Sequence, residues 1–390
     1  MKLILSSLLL LSFFAAQAQQ PWQMHVIDDS SFGSDGTKLY DVNGDQLMDI
    51  ISGWEQGNVA RLYFNPGKTD AGWPFVEVPA PQVEDALLAD LDADGFADII
   101  TLTEGDDQQV TIHWAPADAE KYRQSEHWQS IAIPAVAGKT RWMFGIAMDV
   151  DGRYGPDLVV GSKDPNATLG WLEAPENPRD MAAWRFHEIT PAGWIMSIVA
   201  QDMDGDGRED LLISDRYGEN RGVRWLRNPG PGNAQKQHWE NYPIGLKDGE
   251  PMFLTAVSAD HILAPDLKKG LLSFRKTASG HWQADTLSYP DFAGTRGKAV
   301  ARGDLNGDGI DDTVLSFEGA EDRHGIIWQD GESGKFYPLS DRQGLKYDLV
   351  VLHDMDGDGD LDVLTSEENN NSATEGGLGV VWYENGLTEN

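Results

Sequence analysis

The sequence predicts an all-β fold, a seven-bladed β-propeller with four strands in each blade. Three observations lead to this prediction. An aspartate-rich loop recurs about every fifty residues, which is the spacing of propeller blades. Each interval contains four short apolar segments separated by turns. The chain has no cysteine but has 14 Trp, 13 Phe and 10 Tyr, enough aromatic material for a large core. We therefore treat residues 19–390 as one domain of seven repeats.

The recurring loop defines the repeats. Successive copies are separated by 49, 59, 53, 102 and 50 residues, and they begin at Asp41, Asp90, Asp149, Asp202, Asp304 and Asp354. The double interval indicates one degenerate copy around residues 257–260, where the carboxylates have been lost. Six loops and one degenerate copy make seven units.

Each unit has the pattern of a four-stranded blade. An apolar strand precedes the loop, as at residues 194–199, and a second follows it, as at 211–214. A third strand contains tryptophan, and a fourth begins from one. The last unit, residues 346–385, has only three such segments, whereas residues 22–27 resemble a fourth strand. We expect the N-terminal strand to complete the last blade and to close the ring, which removes two free sheet edges.

The first 18 residues have the features of a secretory signal peptide. Lys2 is followed by an apolar run over residues 3–14 and by the small-x-small sequence at 16–18. We expect a mature start at Gln19 and a secreted or periplasmic protein. The formal net charge of −34 argues against nucleic acid or an anionic membrane surface as a partner, and we expect a monomer.

Five of the loops share the pattern D-x-[DN]-x-D-x-x-x-D, which places oxygen ligands at positions 1, 3, 5 and 9. Calcium takes six to eight oxygen ligands, and alternate residues of a tight loop can all point inward. Glycine at position 6 permits the sharp turn, although Gln46 departs from this pattern. We predict about five structural Ca²⁺ sites, whose ligands are Asp41, Asn43, Asp45, Asp49, Asp90, Asp92, Asp94, Asp98, Asp202, Asp204, Asp206, Asp210, Asp304, Asn306, Asp308, Asp312, Asp354, Asp356, Asp358 and Asp362.

An EF-hand is the rival interpretation of these loops. It requires a glutamate at position 12 and a following helix, but position 12 here falls in apolar strand segments. The loop that begins at Asp149 has Arg153 at position 5, so we do not count it among the metal sites. The loops resemble those of the FG-GAP, or VCBS, repeat family of calcium-binding propellers, and this resemblance covers the whole mature chain.

The repeats diverge where the chain enters the first strand and leaves the second. In a propeller these connections lie on the face opposite the loops, around one central funnel. Cations there suggest an anionic or polyhydroxylated ligand, and aromatic rings suit stacking on a sugar. The alternative is a set of rim ion pairs that bind nothing. The candidate substrate-binding residues are Trp54, Glu55, Trp142, Trp194, Asp215, Lys346 and Asp348.

Other aromatic and histidine residues have a structural interpretation. Trp171, Trp225 and Trp382 recur at one position of the third strand, so we assign them to the blade core. His113, His187 and His353 lie in strand segments and are better explained as packed or surface residues than as catalytic bases.

Several of the divergent segments resemble a narrower group of propellers. They are residues 113–116, 141–144, 161–163, 192–197, 214–216, 297–299 and 346–349. They are similar to the propeller domain of aldos-2-ulose dehydratase and to stand-alone dehydratases that act on ulvan oligosaccharides. The resemblance runs from about residue 22 to residue 385 and implies a hydro-lyase, an enzyme that eliminates water from a sugar acid or keto-sugar. The cupin domains of the aldos-2-ulose enzyme have no counterpart here.

Elimination needs a base, an acid and a group that stabilises the developing enolate. The candidate residues for these catalytic roles are Arg141, Lys163, Arg216, Lys298, Tyr347 and Glu104. The cations among them would stabilise the enolate, and Tyr347, a lysine or Glu104 would transfer protons. Which residue is the base stays open, as does a catalytic metal.

Two other functional classes compete with the dehydratase. One is a calcium-dependent carbohydrate-binding or adhesion propeller without chemistry. The other is a polysaccharide lyase, which expels a glycosyl group instead of water. The cation-rich inner rim favours an enzyme, because a lectin usually needs only shallow outer pockets.

Overall fold

The computed structural model describes residues 21–68, 72–369 and 376–387, so the predicted signal peptide lies outside the described residues. It is an all-β structure of seven four-stranded antiparallel units. Five of them are separate sheets, and the last two are joined into one eight-stranded sheet by a single bridge between Glu318 and Lys346. The fold class predicted from the sequence is confirmed.

The blades follow one another along the chain. Blade 7 contains the first strand, β1 (Gln23–Asp28), together with β26 (Lys346–His353), β27 (Asp362–Glu368) and β28 (Gly379–Glu384). Blade 1 contains β2 (Ser34–Tyr40), β3 (Asp49–Trp54), β4 (Val59–Tyr63) and β5 (Phe75–Pro79). Blade 2 contains β6 (Val83–Ala89), β7 (Asp98–Thr103), β8 (Val110–Trp114) and β9 (Gln129–Ala132). Blade 3 contains β10 (Arg141–Met148), β11 (Asp157–Lys163), β12 (Thr168–Glu173) and β13 (Arg185–Pro191). Blade 4 contains β14 (Ile195–Gln201), β15 (Asp210–Asp215), β16 (Gly222–Arg227) and β17 (Glu240–Gly245). Blade 5 contains β18 (Thr255–Ser258), β19 (His261–Asp266), β20 (Gly270–Lys276) and β21 (Trp282–Leu287). Blade 6 contains β22 (Arg296–Gly303), β23 (Asp312–Glu318), β24 (Ile326–Gln329) and β25 (Phe336–Pro338).

Helical structure in the described residues is limited to three short segments. They are one α-helical turn, Ala119–Tyr122, and two 3₁₀ turns, Ser125–His127 and Asn233–Lys236. The Asp118 carboxylate caps the first by accepting the backbone N–H groups of Glu120 and Lys121. Among the described residues, no helix is long and apolar enough to span a membrane.

The N-terminal strand closes the ring, as predicted. β1 pairs antiparallel with β28, and the His25 ring stacks on Trp382 with centroids 4.3 Å apart. The backbone N–H of Trp22 also donates to the carbonyl of Leu339 in blade 6 at 2.8 Å. The start of the chain therefore supplies the edge strand that the last blade lacks.

Aromatic side chains of the third strands fill the space between blades. Trp171, Trp225 and Trp382 are buried, which confirms their assignment to the core. His113 lies in the third strand of blade 2, one position beyond the one that corresponds to these tryptophans, and is completely buried between the hydroxyls of Thr101 and Ser130. Burial lowers the pKa of His113 to about 3, so it is a neutral packing residue, as expected.

Blade 5 is the degenerate repeat. A two-residue turn at 259–260 joins β18 directly to β19 in place of the nine-residue loop. β19 begins with His261, whereas the second strand of every other blade begins with aspartate. The predicted loss of one loop is therefore confirmed.

The innermost strands of the other six blades share a β-bulge near their start. The pairing with the second strand shifts register at residues 35–38, 83–85, 142–145, 195–197, 297–300 and 347–350. A bulge bends the strand and re-aims the side chains beside it. Here it sets which side chains lie at the end of the propeller opposite the loops.

Candidate functional site

Two groups of candidate residues lie at opposite ends of the inner hairpins. In blade 1, Tyr40 pairs with Asp49 next to the acidic loop, and Ser34 pairs with Trp54 at the other end. The same order holds in the other blades that carry a loop. We call the first end the loop face and the second end the pocket face.

On the loop face, the backbone is wrapped around the first aspartate of each loop. Asp202 accepts the N–H groups of Gly205 at 2.8 Å and Gly207 at 2.9 Å. Gly207 at position 6 has a φ of 84°, in the region that favours glycine. Gln46 adopts a φ of 71° at the same position, so this loop keeps the turn without glycine.

Carboxylates converge in the loops that carry three or more aspartates. In four of them, three carboxylate oxygens lie within 4.8 Å of one another, and the residues are Asp90, Asp92 and Asp94; Asp149, Asp151 and Asp157; Asp202, Asp204 and Asp206; Asp354, Asp356 and Asp362. Where Asn43 and Asn306 stand at position 3, an amide oxygen replaces a carboxylate. A donor set made entirely of oxygen fits a hard cation such as calcium.

Arginines lie against several of these clusters. Arg227 Nε is 2.6 Å from Asp204 Oδ2, and Arg179 pairs with Asp92. In blade 3 the Arg153 guanidinium lies 2.5 Å from Asp151 and 2.6 Å from Glu173. This loop therefore has a cation at position 5, where the five that match the full pattern have aspartate.

The aspartate at position 9 has a structural role that the sequence analysis missed. Asp98 Oδ2 accepts the N–H of Leu91 at 3.2 Å, and its Oδ1 accepts the N–H of Ala115 at 2.8 Å. The same two bonds, to loop position 2 and to the residue after the third strand, are made by Asp49, Asp98, Asp157, Asp210, Asp312 and Asp362. All six carboxylates are buried. Each one fastens its loop to the blade, and its part in metal binding stays a prediction.

On the pocket face, a cavity of about 170 Å³ lies on the propeller axis. Eight of the predicted site residues line it, namely Glu55, Glu104, Lys163, Trp194, Arg216, Lys298, Lys346 and Asp348. Eight others were not predicted, namely Asp35, Glu84, Met143, Phe144, Met196, Phe253, Arg296 and Glu318. The cavity is smaller than the roughly 300–1,000 Å³ typical of sites for drug-sized ligands, so it suits a single ring or a chain end.

At the bulge positions the cavity wall has an ionic half and an apolar half, and Lys163 and Arg216 of blades 3 and 4 add two cations on the apolar side. Blades 6, 7, 1 and 2 contribute the charged side chains of Lys298, Asp348, Asp35 and Glu84 at or beside their bulges. Blades 3 to 5 contribute Met143, Phe144, Met196 and Phe253. The Phe144 and Phe253 rings meet edge to face across the axis, with centroids 5.1 Å apart. One side of a bound molecule would thus face charges and the other would face hydrocarbon.

Trp194 organises two cations at the cavity wall. Lys163 Nζ lies 4.4 Å and Arg216 Cζ 4.8 Å from the centroid of its indole ring, which are cation–π distances. The buried Asp215 accepts the backbone N–H of Trp194 at 2.8 Å and pairs with Arg224 at 2.8 Å. Asp215 therefore positions Trp194 and does not line the cavity itself.

Three glutamates surround the Lys163 ammonium. Oxygens of Glu55, Glu84 and Glu104 lie within 4.8 Å of one another, and Lys163 pairs with Glu104 and lies 3.6 Å from Glu84 Oε1. Burial, together with the neighbouring carboxylates, raises the pKa of Glu84 to about 8, although Lys163 opposes the shift. The three oxygens could hold a metal ion, but in this structure the lysine supplies the positive charge.

Every cation of the cavity wall has a carboxylate partner. Lys298 Nζ is 3.1 Å from Asp348 Oδ1, and Arg216 Nη2 is 3.2 Å from Glu250 Oε2. Arg296 pairs with Glu318 and Lys346 with Glu368. Five basic and six acidic side chains line the cavity. These five cations are gathered at one cavity of a protein whose net charge is −34, and each of them is balanced by an acidic partner.

Comparisons with known proteins support the repeat and the fold. Residues 41–101 match the family model of the FG-GAP-like repeat. No curated protein sequence gives a significant match to this chain.

Three solved structures share the architecture. The chain is similar to BBS1N in its complex with ARL6DN, at 12% identity and a TM-score of 0.55, over 95% of this chain and 98% of that one. It is similar to a catalytically inactive virginiamycin B lyase from Staphylococcus aureus with quinupristin, at 11% identity and a TM-score of 0.56, over 92% and 97%. It is also similar to the WD40 β-propeller domain of Doa1, at 10% identity and a TM-score of 0.53, over 93% and 97%. At these identities the likeness shows the β-propeller fold alone.

Five predicted site residues lie elsewhere than at the cavity wall. Trp54, Trp142 and Tyr347 are at most 1% exposed and belong to the core. The Tyr347 hydroxyl lies 3.0 Å from that of Tyr383 and donates to the Gln343 carbonyl. Arg141 is exposed at the start of β10, outside the cavity wall. Together with Asp215, these residues correct the expected composition of the funnel, and for Trp142 and Tyr347 the reason is a bulge, which directs the neighbouring Met143 and Asp348 toward the cavity.

Proposed function

We propose that this protein is a carbon–oxygen lyase that eliminates water from a sugar acid or keto-sugar at the end of an oligosaccharide. The observation that carries the proposal is the axial cavity, where cations, a neutral carboxyl and an ionised carboxylate stand within one small wall. Two neighbouring carboxyl groups whose pKa values are pushed apart are an arrangement that acid–base chemistry uses. The resemblance of the strand-entry segments to sugar dehydratases points to the same reaction.

Lys163 and Arg216 would bind the substrate carboxylate or carbonyl oxygen. Both are held against Trp194, so their positions are set before a ligand arrives. When the proton next to that group is removed, negative charge moves onto the same oxygen atoms. Preorganised cations then stabilise the enolate more than the starting sugar, which is the condition for faster chemistry. The β-hydroxyl leaves as water once it has received a proton.

The apolar half of the wall suits the other side of a sugar ring. Met143, Met196 and Phe253 would face the C–H groups, while the hydroxyl groups face blades 6, 7, 1 and 2 and the carboxylate meets Lys163 and Arg216 of blades 3 and 4. One structural neighbour is a lyase by its printed name, but at 11% identity that likeness shows the fold alone. The proposal depends on the cavity residues.

Calcium in the loops on the opposite face is part of the same proposal. The five loops of the full pattern would hold Ca²⁺ as a structural ion, through aspartate and asparagine oxygens at positions 1, 3 and 5. The ions would lie at the far ends of the inner strands, away from the reacting groups.

The test uses oligosaccharides with uronic-acid ends, incubated with the parent protein and with Lys163→Ala and Arg216→Ala. The parent should release products lighter by one water, seen by mass spectrometry and by absorbance of the new double bond. Removing one stabilising cation should lower turnover about 10²–10³-fold, in a protein that still folds and keeps the calcium of its loop face. Lys335→Ala, an exposed lysine far along blade 6, is the matched control and should react like the parent.

The products also separate the competing functions. Chain cleavage without loss of water would show that the leaving group is glycosyl, and the protein would be a polysaccharide lyase. Binding of the same sugars without any turnover would show a carbohydrate-binding propeller and would overturn the proposed reaction.

A further inference from the structure

Two carboxyl groups in the cavity wall form a hydrogen-bonded pair. Asp35 lies at the bulge of blade 1 and Asp348 at the bulge of the adjoining blade 7, and their side chains are hydrogen-bonded to each other. The Gly36 N–H donates to Asp35 Oδ1 at 2.8 Å and reaches Asp348 Oδ2 at 3.5 Å. Both residues are buried, at 7% and 0% exposure. Two carboxyl groups that share a hydrogen bond cannot both be ionised, so the pair holds one proton.

The surrounding charges place that proton on Asp35. Burial and the neighbouring Asp348 carboxylate raise the pKa of Asp35 well above its ordinary value. Burial also acts to raise the pKa of Asp348, but Lys298 at 3.1 Å and the hydrogen bond from Asp35 outweigh it and hold that pKa well below its usual range. Asp35 is then the acid of the pair, and Asp348 is the carboxylate.

Other charged groups around the pair come from four blades. They are Lys298, Glu318 and Arg296 of blade 6, Lys346 and Glu368 of blade 7, Glu84 and Asp85 of blade 2, and Lys38 of blade 1. Most of these are engaged with one another, as Lys346 is with Glu368 and Lys38 with Asp85. Among the described residues, Asp348 Oδ1 has no hydrogen-bond partner beyond its ion pair with Lys298. That oxygen is buried, but Asp348 lines the cavity, so a bound molecule would approach it from the cavity side.

We infer that Asp348 is the base and Asp35 the acid of the elimination reaction. This inference rests on the proposed function. Asp348 Oδ1 takes the proton from the carbon next to the substrate carboxylate or carbonyl, and that C–H electron pair becomes the new C=C bond. The bond from the next carbon to its hydroxyl oxygen breaks, and the departing oxygen takes the proton of Asp35 to leave as water. No oxidant, reductant or further reactant is needed.

The pairing of the two groups has two consequences. Because they are adjacent, they approach the sugar from the same side, so the hydrogen and the hydroxyl leave in a syn elimination. After the reaction Asp348 carries a proton and Asp35 a negative charge. One proton transfer along their hydrogen bond restores the starting state without an exchange with solvent.

The first experiment compares Asp348→Asn and Asp35→Asn with the parent in the water-release assay. Both should lower kcat by about 10²–10⁴-fold while substrate binding, measured by calorimetry, changes by only a few-fold. A substrate with fluoride in place of the leaving hydroxyl needs no proton donor, so it should restore turnover in Asp35→Asn and leave Asp348→Asn inactive. Asp260→Asn, an exposed aspartate of blade 5 whose side chain is 72% exposed, is the control.

Lys298→Gln is a further variant, tested by its pH profile, in case Asp348→Asn and Asp35→Asn do not fold. The parent should show a bell-shaped kcat/KM, since Asp348 must be ionised and Asp35 protonated. Lys298→Gln removes the cation that keeps Asp348 ionised, so the acidic limb of the profile should move to higher pH. An unmoved limb would overturn the assignment, as would an active parent whose Asp348→Asn variant keeps more than a tenth of its turnover. In either case the dehydratase function itself would stand.

Failure of the proposed function has a different signature. The protonated Asp35 carboxyl can be observed without substrate, as a component of the infrared C=O absorption at neutral pH that is lost in Asp35→Asn while the component from Glu84 stays. If this Asp35 component is present and the parent never releases water from any uronate or keto-sugar, the pair exists but the catalytic assignment fails together with the proposed reaction.

Discussion

The two ends of the inner hairpins are built on opposite rules. At the loop face, six blades repeat the same aspartates with the same backbone bonds, down to the two N–H groups held by Asp98 and its counterparts. At the pocket face, the equivalent bulge positions carry Asp35, Glu84, Met143, Lys298 and Asp348. A position that every blade needs for folding stays alike, whereas a position that only the assembled ring uses is different in each blade. The loop face therefore serves stability, and the pocket face serves recognition.

Ring closure should have the largest effect on stability. Deleting residues 22–28 removes β1, which leaves β28 without its partner and breaks the Trp22–Leu339 bond to blade 6. Two unpaired edges then face solvent or one another. We expect an aggregating product without a cooperative melting transition. A chain that begins at Pro21 is the control, and a soluble truncation with the parent's melting curve would show that closure does not depend on β1.

Calcium removal should be the next largest effect, and it should act through the loop face alone. Each ion that binds only the folded state adds about 2.7 kcal/mol at a hundredfold excess over its Kd. Several such sites together correspond to a fall in Tm of more than about 10 °C on chelation. Lys163→Ala and the parent should lose the same amount, because the pocket face does not contribute to it. A metal-free protein that melts like the calcium-loaded one would rule out a structural role for the ion.

The sequence is sufficient to predict the fold because the same unit is repeated seven times. Repeated Asp-x-Asp loops, a recurrent tryptophan and the orphan strand at residues 22–27 each predict a feature that the structure confirms. The degenerate copy is also located correctly, since its absence of carboxylates matches the two-residue turn before His261. Because the unit recurs, an interpretation of one copy can be checked against the other copies.

The cavity wall is predicted only in part, and the reason is local geometry. The sequence identifies the correct segments, but simple alternation along a strand does not hold there, because the bulges change it. In blade 3 the register shift directs Met143 to the axis and leaves Trp142 in the core, and in blade 7 it selects Asp348 over Tyr347. An alignment of the seven entry segments with one extra residue allowed after the second position would have found this pattern. The sequence contains no comparable pattern that predicts distances between side chains of different blades, such as the distance between Lys298 and Asp348.

A variant of the aspartate at position 9 separates its role in holding the loop from a role in metal binding. In Asp157→Asn, one side-chain oxygen is replaced by an NH₂ group, which cannot accept the N–H of Val150 or Ala174. A buried donor left unpaired costs about 1–3 kcal/mol, and the loop of blade 3 is not one of the five calcium loops. We therefore expect a loss of that size by denaturant unfolding, with no change in the number of bound calcium ions. Asp164→Asn, exposed in the same blade, should be neutral, and loss of calcium from Asp157→Asn would show that the loop of blade 3 binds an ion of its own.

The smallest effect on stability, and the most specific one, should come from Arg153. Its guanidinium lies among carboxylates where the other loops have a fifth-position aspartate, and Asp149, Asp151 and Asp157 already bring oxygens within 4.8 Å. Arg153→Asp exchanges this internal cation for a ligand and should add one calcium ion per chain by metal analysis, with little change in Tm once the ion is bound. Arg153→Ala removes the cation without adding a ligand and should bind no extra ion. An unchanged calcium count in Arg153→Asp would mean that something other than the arginine keeps this loop apart from the rest.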